Sequence, residues 1–374
     1  MKVVVAPDSF KGSLTSIEAA NRMKEAILQD FPEADVMEKP MADGGEGTLA
    51  ALLKANGGKE ISVSCKGPLG ESIQTTYGMV NQTTAIIEVA SIAGLTQVPE
   101  EKRNPDNTTS YGIGEVMLDA MSRGCTEMIV GLGGSATNDG GHGMLQAIGM
   151  KAWNKEGKEV EPFGKNVQYI DRVDFSEMDS RFKHVSIKVA SDVDNPLCGE
   201  NGATAVYGPQ KGMLKERIPI YDQALDTFSD LIEAELHKSI KNYPGAGAAG
   251  GLGFAFLTLG AKLVSGAQLV GEAMEMESTI QQADFVITGE GKSDEQTLYG
   301  KAPGYVASLA EKYDVPVVLI SGSIDGDIDQ LMKKFSGCFS IVTKPITLKE
   351  CMEKAGELLY QQTKQVIHFI RSVT

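Results

Sequence analysis

The chain opens with a short run of apolar, β-branched residues that predicts a buried strand. Residues 2–7 read KVVVAP, and the run stops at the proline; such a run is typical of a strand covered on both faces of a parallel sheet. Residues 15–31 follow with apolar side chains at helical spacing. Thr15 or Ser16 can cap this helix, and Glu18 completes a capping box if Thr15 is the cap.

The pattern changes twice further along the chain. A second strand and a second helix complete a β-α-β-α order by about residue 58, and residues 59–90 then alternate apolar and polar positions, which predicts an antiparallel meander. From there to about residue 275, the pattern is a mixture of helical and strand segments. Beyond that point the α/β pattern returns, with three short apolar strands and a final amphipathic helix within residues 283–291, 315–323, 339–345 and 347–372.

The two chain ends therefore share one pattern and the middle has another, which predicts an α/β protein of two domains. Residues 1–59 and 276–374 form one discontinuous domain built on a doubly wound parallel sheet, and residues 60–275 form an inserted mixed α/β domain. Ligands of doubly wound sheets bind outside the carboxyl ends of the strands. We expect the active site in the cleft between the two domains.

Composition excludes several classes of partner. The net charge of −15 over 374 residues argues against binding to nucleic acid or an anionic membrane, which requires a basic surface. The five cysteines are scattered without a CxxC pair, as in reduced cytoplasmic proteins. No signal peptide or run of transmembrane length is apparent. We expect a cytoplasmic protein with a small-molecule substrate; a monomer and a homodimer both stay open.

Six segments depart from core-like patterning because each mixes glycine with Asp, Glu, Asn or Lys after a strand or at an element end. A single segment of this kind is commonly just a turn. Six of them in one chain are hard to explain as connections between helices and strands alone. They are APDSFKGS (6–13), MADGGEGT (41–48), GLGGSATNDGG (131–141), SDVDNPLCGENGA (191–203), PGAGAAGGLG (244–253) and TGEGKSDEQTLYGK (288–301).

These residue types suit phosphate and magnesium. Glycine-rich turns direct backbone N–H groups at an anion, carboxylates bind Mg²⁺, and lysines neutralise a transferring phosphoryl group. Within GLGGSATNDGG, Asp139 could be a cation ligand or could cap the following helix. His142 directly follows this segment and is the one histidine of interest, although a structural use is the more common one.

Two standard nucleotide motifs fit poorly. GLGGSA matches the G-x-G-x-x-G/A dinucleotide fingerprint, but the acidic residue expected about 20 positions later falls in a turn-like stretch. The alternative that the protein is an NAD(P)-dependent dehydrogenase rests on this match alone. The Gly-Lys-Ser of residues 291–293 would need glycine at position 286 for a P-loop, and that residue is Val286.

Together and in this order, the six segments resemble the signatures of the bacterial type I glycerate kinase family over essentially the whole chain. The resemblance implies ATP-dependent phosphorylation of D-glycerate with Mg²⁺, and two α/β domains of which the discontinuous one is flavodoxin-like. It favours the 2-hydroxyl as acceptor, giving 2-phospho-D-glycerate. A glycerate 3-kinase and a catalytically inactive sensor of nucleotides or phosphosugars remain as alternatives. Lys292 stands where the family pattern more often has arginine.

A kinase must position its substrates, neutralise charge and orient the acceptor hydroxyl. Asp8 and Asp192 are the candidates for a catalytic base or a Mg²⁺ ligand, with Asp8 preferred as the base because it follows the first strand directly. Lys11 is the third catalytic candidate and, with Lys292, is expected to bind phosphate or the glycerate carboxylate. Asp192 and Asp194 are the candidate metal ligands.

The remaining candidates divide between the two substrates. Backbone N–H groups, amides and lysines are expected to bind the nucleotide, and further carboxylates and an amide are expected to line the glycerate site. The nucleotide set is Gly133, Gly134, Ser135, Asn138, Lys292 and Lys301. The glycerate set is Asp43, Glu46, Asn195 and Asp294.

Overall fold

The N-terminal segment has the predicted β-α-β-α order. The computed structural model describes residues 1–42, 47–298 and 301–373, and within these the side chains of 54–56 and 373 are left undescribed. Glu18 N donates to Thr15 Oγ1 at 3.1 Å and Thr15 N donates to Glu18 Oε2 at 2.8 Å, which confirms the capping box. The elements are β1 (Lys2–Pro7), α1 (Ser16–Asp30), β2 (Asp35–Glu38) and α2 (Thr48–Asn56).

The middle of the chain begins with the predicted meander and continues with mixed elements. Its strands are β3 (Lys59–Lys66), β4 (Ser72–Val80), β5 (Thr84–Glu88), β6 (Glu127–Gly131), β7 (Lys151–Trp153), β8 (Arg172–Asp174), β9 (Ser186–Ala190) and β10 (Lys262–Val264). Its helices are α3 (Ala90–Ala93), α4 (Tyr111–Ser122), α5 (His142–Ala147), α6 (Ala203–Tyr207), α7 (Ile218–Leu236) and α8 (Ala248–Thr258).

The C-terminal part alternates strands and helices, as predicted, but its last helix is divided. In place of one helix over 347–372, two helices meet at Lys354, whose φ of −107° and ψ of 11° interrupt the first one. The elements are α9 (Gly266–Ala273), α10 (Met276–Ile280), β11 (Phe285–Gly289), β12 (Lys292–Ser293), α11 (Ala302–Lys312), β13 (Val317–Ser321), β14 (Ser323–Ile324), α12 (Ile328–Leu331), β15 (Gly337–Ser340), α13 (Leu348–Glu353) and α14 (Ala355–Val373).

The chain ends build a five-stranded sheet in the order β15-β13-β11-β1-β2, and all its neighbouring strands are parallel. Counted along the chain, this is the flavodoxin-like order 2-1-3-4-5, whose connections reverse direction between the first and third strands. Residues of β1, β11 and β13 are almost entirely buried, so their continuous apolar runs report a covered central sheet.

The middle of the chain builds a six-stranded mixed sheet in the order β10-β9-β6-β5-β4-β3. The pairs β3–β4 and β4–β5 are antiparallel, as the alternating pattern predicts. The pairs β5–β6, β6–β9 and β9–β10 are parallel. Two smaller two-stranded pairs are β12–β14 and β7–β8.

The chain divides into two compact units. One comprises the described residues of Met1–Asp43, Ala50–Asn56 and Ser265–Thr374, and the other those of Gly44–Leu49 and Gly57–Val264. Residues 265–275, which the sequence assigns to the inserted domain, group here with the chain ends. Among the described helices, none has the length and apolar character needed to cross a membrane.

Candidate active site

In the first unit, two acidic residues follow neighbouring strands where the sheet reverses its connections. β1 and β11 pair up to Pro7 and Gly289, and Asp8 and Glu290 come next. Asp8 is 5% exposed, its backbone N–H donates to Gly289 O at 2.8 Å, and its Oδ1 accepts from Ser9 N at 2.6 Å. Because ligands of such sheets bind at this switch point, the location suits the predicted catalytic candidate Asp8.

Glu290 is a buried acidic side chain held by hydroxyl groups. Its Oε1 accepts from Thr297 Oγ1 at 2.6 Å and from Ser293 Oγ at 2.9 Å, and Ser293 Oγ lies 2.7 Å from Ser321 Oγ. Burial raises the pKa of Glu290, while the Thr297 hydroxyl and the Lys301 charge act in the opposite direction. Glu290 lies within the segment 288–301, but no function was predicted for it.

Lys301 joins this cluster from the start of α11. Its Nζ lies 3.8 Å from Glu290 Oε2 and 3.6 Å from Asp294 Oδ1, so the structure brings two predicted residues, Lys301 and Asp294, to one buried carboxylate. Lys301 immediately precedes α11, and helix N-termini attract anions through their free N–H groups and dipole. A half-buried cation at this point suits binding of a phosphoryl group.

Lys292 lies on the surface, and besides Asp325 the charge of Asp294 also acts on it. Its Nζ is 3.0 Å from Asp325 Oδ2 and both side chains are more than half exposed. The hydrogen bond and charge of Asp325 raise the pKa of Lys292. Lys11 is also exposed, in the segment between β1 and α1. Binding of an anion by either lysine stays a prediction.

In the second unit, the glycine-rich segment 131–141 leads from the end of β6 into α5. Gly133 is partly exposed and Gly134 is exposed, whereas every residue from Ser135 to Gly141 is buried. Gly134 has a φ of +73° and its carbonyl accepts from Leu95 N at 2.8 Å. This segment is called the β6–α5 loop below. It exposes two glycines, and its residues 135–141 form a buried, mostly polar part.

Asp139 holds the buried part of the β6–α5 loop in place through its hydrogen bonds. Its Oδ2 accepts from Ser110 Oγ at 2.6 Å, Ser110 N at 3.0 Å and Gly143 N at 3.2 Å, and its Oδ1 accepts from Gly141 N at 3.0 Å. Gly143 lies in the first turn of α5, so the carboxylate satisfies N–H groups at that helix start. Of the two alternatives left by the sequence, the structure favours the cap.

His142, the first residue of α5, is a structural histidine. It is fully buried with its ring 5.6 Å from that of Phe228 in an edge-to-face arrangement, and neither ring nitrogen has a hydrogen-bond partner among the described residues. Burial lowers its pKa to about 3. The side chain is therefore neutral at physiological pH and serves packing.

The second glycine-rich segment of this unit packs against the β6–α5 loop. Ala249, Gly250 and Gly251 have positive φ at the start of α8. A Cβ at Gly250 would lie 2.0 Å from Thr137 O, and Gly250 O accepts from Gly140 N at 3.0 Å. The glycines of PGAGAAGGLG thus allow one backbone to approach another closely.

Two buried side chains complete the support of the loop. Asn138 is fully buried, and its Nδ2 donates to Thr204 Oγ1 at 2.9 Å. Lys211 is 2% exposed, and its Nζ donates to Ser135 Oγ at 2.9 Å and to Thr137 O at 2.6 Å. Lys211 could not be found from the sequence, because GPQKG (208–212) has the composition of a surface turn.

The predicted residues after β9 are divided between an exposed pair and a structural amide. Asp192 and Asp194 are exposed. Asn195 Oδ1 accepts from Tyr207 OH at 2.6 Å and its Nδ2 donates to Asn201 O at 2.8 Å, so both ends of this amide hold the segment in shape. Its binding of glycerate stays a prediction.

Two predicted residues cannot be placed, and the metal site stays a prediction. Asp43 and Glu46 lie outside the described residues. Across the described ranges, no three His, Cys, Asp or Glu side chains are grouped to hold a metal ion. Mg²⁺ commonly binds through one or two carboxylates together with substrate phosphates, so the exposed pair Asp192 and Asp194 has a suitable chemistry.

Comparison with known proteins gives the family. The sequence model of the glycerate kinase family matches residues 3–371. The chain belongs to the glycerate kinase family. This confirms the resemblance seen in the six segments and the prediction of a kinase, and it removes the dehydrogenase alternative that rested on GLGGSA.

Relatives of this glycerate kinase family member match over nearly their full length. The chain is 44% identical to a glycerate kinase of Bacillus subtilis (strain 168), covering 99% of this chain and 98% of the relative. It is 42% identical to a glycerate 2-kinase of Escherichia coli (strain K12), covering 98% and 97%. A crystal structure of a candidate glycerate kinase 2 from Salmonella typhimurium LT2 matches with a TM-score of 0.89 at 39% identity, covering 100% of this chain and 98% of that one.

Proposed function

We propose that this protein transfers the γ-phosphoryl group of ATP to the 2-hydroxyl of D-glycerate, giving 2-phospho-D-glycerate and ADP. The observation that carries the proposal is similarity over the whole length to proteins named glycerate kinases. The choice of hydroxyl is supported by the relative named glycerate 2-kinase. The match to that relative covers 98% of the chain, and all six glycine-rich segments lie within residues 3–371, the span that the family model matches.

In the first unit, we assign charge neutralisation to Lys301. Its ammonium group lies within 4 Å of two carboxylates, Glu290 and Asp294, which hold it at the start of α11. An anionic phosphoryl group there meets both the lysine and the helix N-terminus. Lys11 and Lys292 remain candidates for phosphate or for the glycerate carboxylate.

Activation of the acceptor hydroxyl is assigned to Asp8. The residue is 5% exposed and directly follows β1, at the end of the sheet where ligands of this fold bind, and a carboxylate there can take the proton of the acceptor hydroxyl. An Asp8→Asn variant should lose most of kcat with KM less affected, because the amide cannot take the proton.

In the second unit, we assign phosphate binding to the exposed glycines of the β6–α5 loop. Gly133 and Gly134 offer backbone N–H groups with no side chain of their own in the way. The buried residues 135–141 of the loop hold them in place. Asp192 and Asp194 would hold Mg²⁺, which when bound neutralises phosphate charge and orients the phosphoryl group.

The direct test measures ADP release with ATP, Mg²⁺ and D-glycerate, followed by chromatography of the nucleotides. Release that requires D-glycerate supports the kinase, with L-glycerate as the stereochemical control. A protein that binds ATP but releases no ADP with D-glycerate would instead be the inactive sensor.

A further inference from the structure

Lys211 is a buried lysine whose two described hydrogen bonds do not require a charge. Its Nζ makes its two hydrogen bonds within the described structure to neutral oxygens, Ser135 Oγ and Thr137 O. A neutral amide such as glutamine could donate to the same acceptors. Burying an ammonium group is costly, so a lysine at this position in place of a neutral amide indicates a use for the charge beyond these two hydrogen bonds.

The burial has a measurable consequence for protonation. Burial lowers the pKa of Lys211 to about 7, and the carboxylate of Asp139 acts in the opposite direction. Asp139 itself already accepts four hydrogen bonds from Ser110, Gly141 and Gly143. Lys211 therefore stands close to the balance between its charged and neutral forms, and a nearby anion would favour the charged form.

The backbone fixes Lys211 in place before any ligand arrives. The residue ends the 3₁₀ turn Pro209–Lys211, and Gly212 follows with a φ of +90°. A Cβ at Gly212 would lie 2.0 Å from Arg103 O, so this turn packs backbone against backbone. The ammonium group is thereby held against the β6–α5 loop.

We propose that Lys211 is a positioning residue for the nucleotide: it fixes the β6–α5 loop through Ser135 and Thr137, and its buried charge beneath the exposed Gly133 and Gly134 stabilises bound phosphate groups. The inference rests on the proposed assignment of this loop to the nucleotide. Lys211 itself is too deeply buried to be a contact residue, and it acts through the loop.

Proton uptake tests this inference. Above pH 7 the free protein holds Lys211 largely neutral, and phosphate binding restores the charge, so binding should take up a proton. Titration calorimetry with MgADP at about pH 8, in two buffers of different ionisation enthalpy, measures that uptake. Protonation changes of the nucleotide itself are common to all variants and cancel in the comparison.

Three variants give distinct expected results. Lys211→Met should bind MgADP more weakly by a factor on the order of ten to a hundred, the loss of a charge-assisted interaction, with reduced proton uptake. Lys211→Arg should keep the affinity and lose the uptake, because arginine stays charged. Lys215→Met, which changes an exposed lysine four positions further on, should behave as the unmodified protein.

Two results would overturn the inference. One is equal proton uptake in the unmodified protein and in Lys211→Arg, which is also the decisive comparison if Lys211→Met does not fold. The other is uptake on binding D-glycerate but not MgADP, which would remove the nucleotide as ligand. Because MgADP binding needs no turnover, these results are separate from the ADP-release assay that tests the proposed function.

Discussion

Replacing Gly250 by alanine should destabilise the second unit because its backbone touches the β6–α5 loop. Gly250 has a φ of +75°, and the new Cβ would lie 2.0 Å from Thr137 O and 2.8 Å from Asn138 Cα. The left-handed backbone alone costs an alanine about 1–2 kcal/mol. Displacing a backbone that cannot rotate away adds about 1–3 kcal/mol, as in overpacked cores.

Gly260→Ala is the matched control. Gly260 also has a left-handed φ, +82°, but among the described residues no atom beyond its chain neighbours lies within 4 Å of its Cβ position. Only the conformational cost applies there. At about 2–4 °C per kcal/mol for a unit of this size, Gly250→Ala should melt roughly 2–12 °C below Gly260→Ala in differential scanning calorimetry.

Gly250→Ala should also change the kinetics, because it displaces the loop that is assigned to nucleotide binding. A shift of Thr137 also moves the acceptor of Lys211, so the KM for ATP should rise in Gly250→Ala and stay unchanged in Gly260→Ala. Equal melting temperatures for the two variants would refute the close approach of Gly250 to Thr137. A lower melting temperature with an unchanged KM would refute the use of the loop in nucleotide binding.

Three further predictions concern charge, pH and capping. Lys301→Met should lower kcat/KM by a factor on the order of 100 in steady-state kinetics, whereas Lys349→Met, at an 85% exposed side chain, should have no effect; equal activities would remove Lys301 from the site. Because the pKa of His142 is about 3 in the fold and about 6.5 in the unfolded chain, only the unfolded state gains a proton as the pH falls below 6.5. The free energy of unfolding should therefore drop by about 2 kcal/mol between pH 7 and pH 5, a dependence that His142→Phe should remove. Thr15→Ala should lower the free energy of unfolding by about 1 kcal/mol in urea denaturation, and no change would mean that the capping box does not stabilise α1.

Local periodicity explains why much of the fold could be predicted. The buried run of β1, the capping box of α1 and the meander β3–β5 depend on neighbours within a few residues. The division of the last helix was missed because the amphipathic pattern continues through Lys354. The predicted domain boundaries, and the location of the site between the domains, stay predictions.

The site was predictable in its segments but less so in its individual residues. PGAGAAGGLG was one of six segments whose residue types suit phosphate or magnesium, and its Gly250 packs on Thr137, a contact between segments far apart in the chain. No function was predicted for Glu290 or Lys211, because the residue types in a segment do not reveal which side chains are buried. Burial is what raises the pKa of the first and lowers that of the second.

A coupled assay with enolase shows whether the protein phosphorylates the 2-hydroxyl of D-glycerate. The protein is incubated with ATP, Mg²⁺, D-glycerate and enolase, without phosphoglycerate mutase, and phosphoenolpyruvate is measured. Enolase accepts only the 2-phosphate, so the account predicts phosphoenolpyruvate at once, in step with ADP. ADP formation with phosphoenolpyruvate only after mutase is added would identify a 3-kinase and contradict the account.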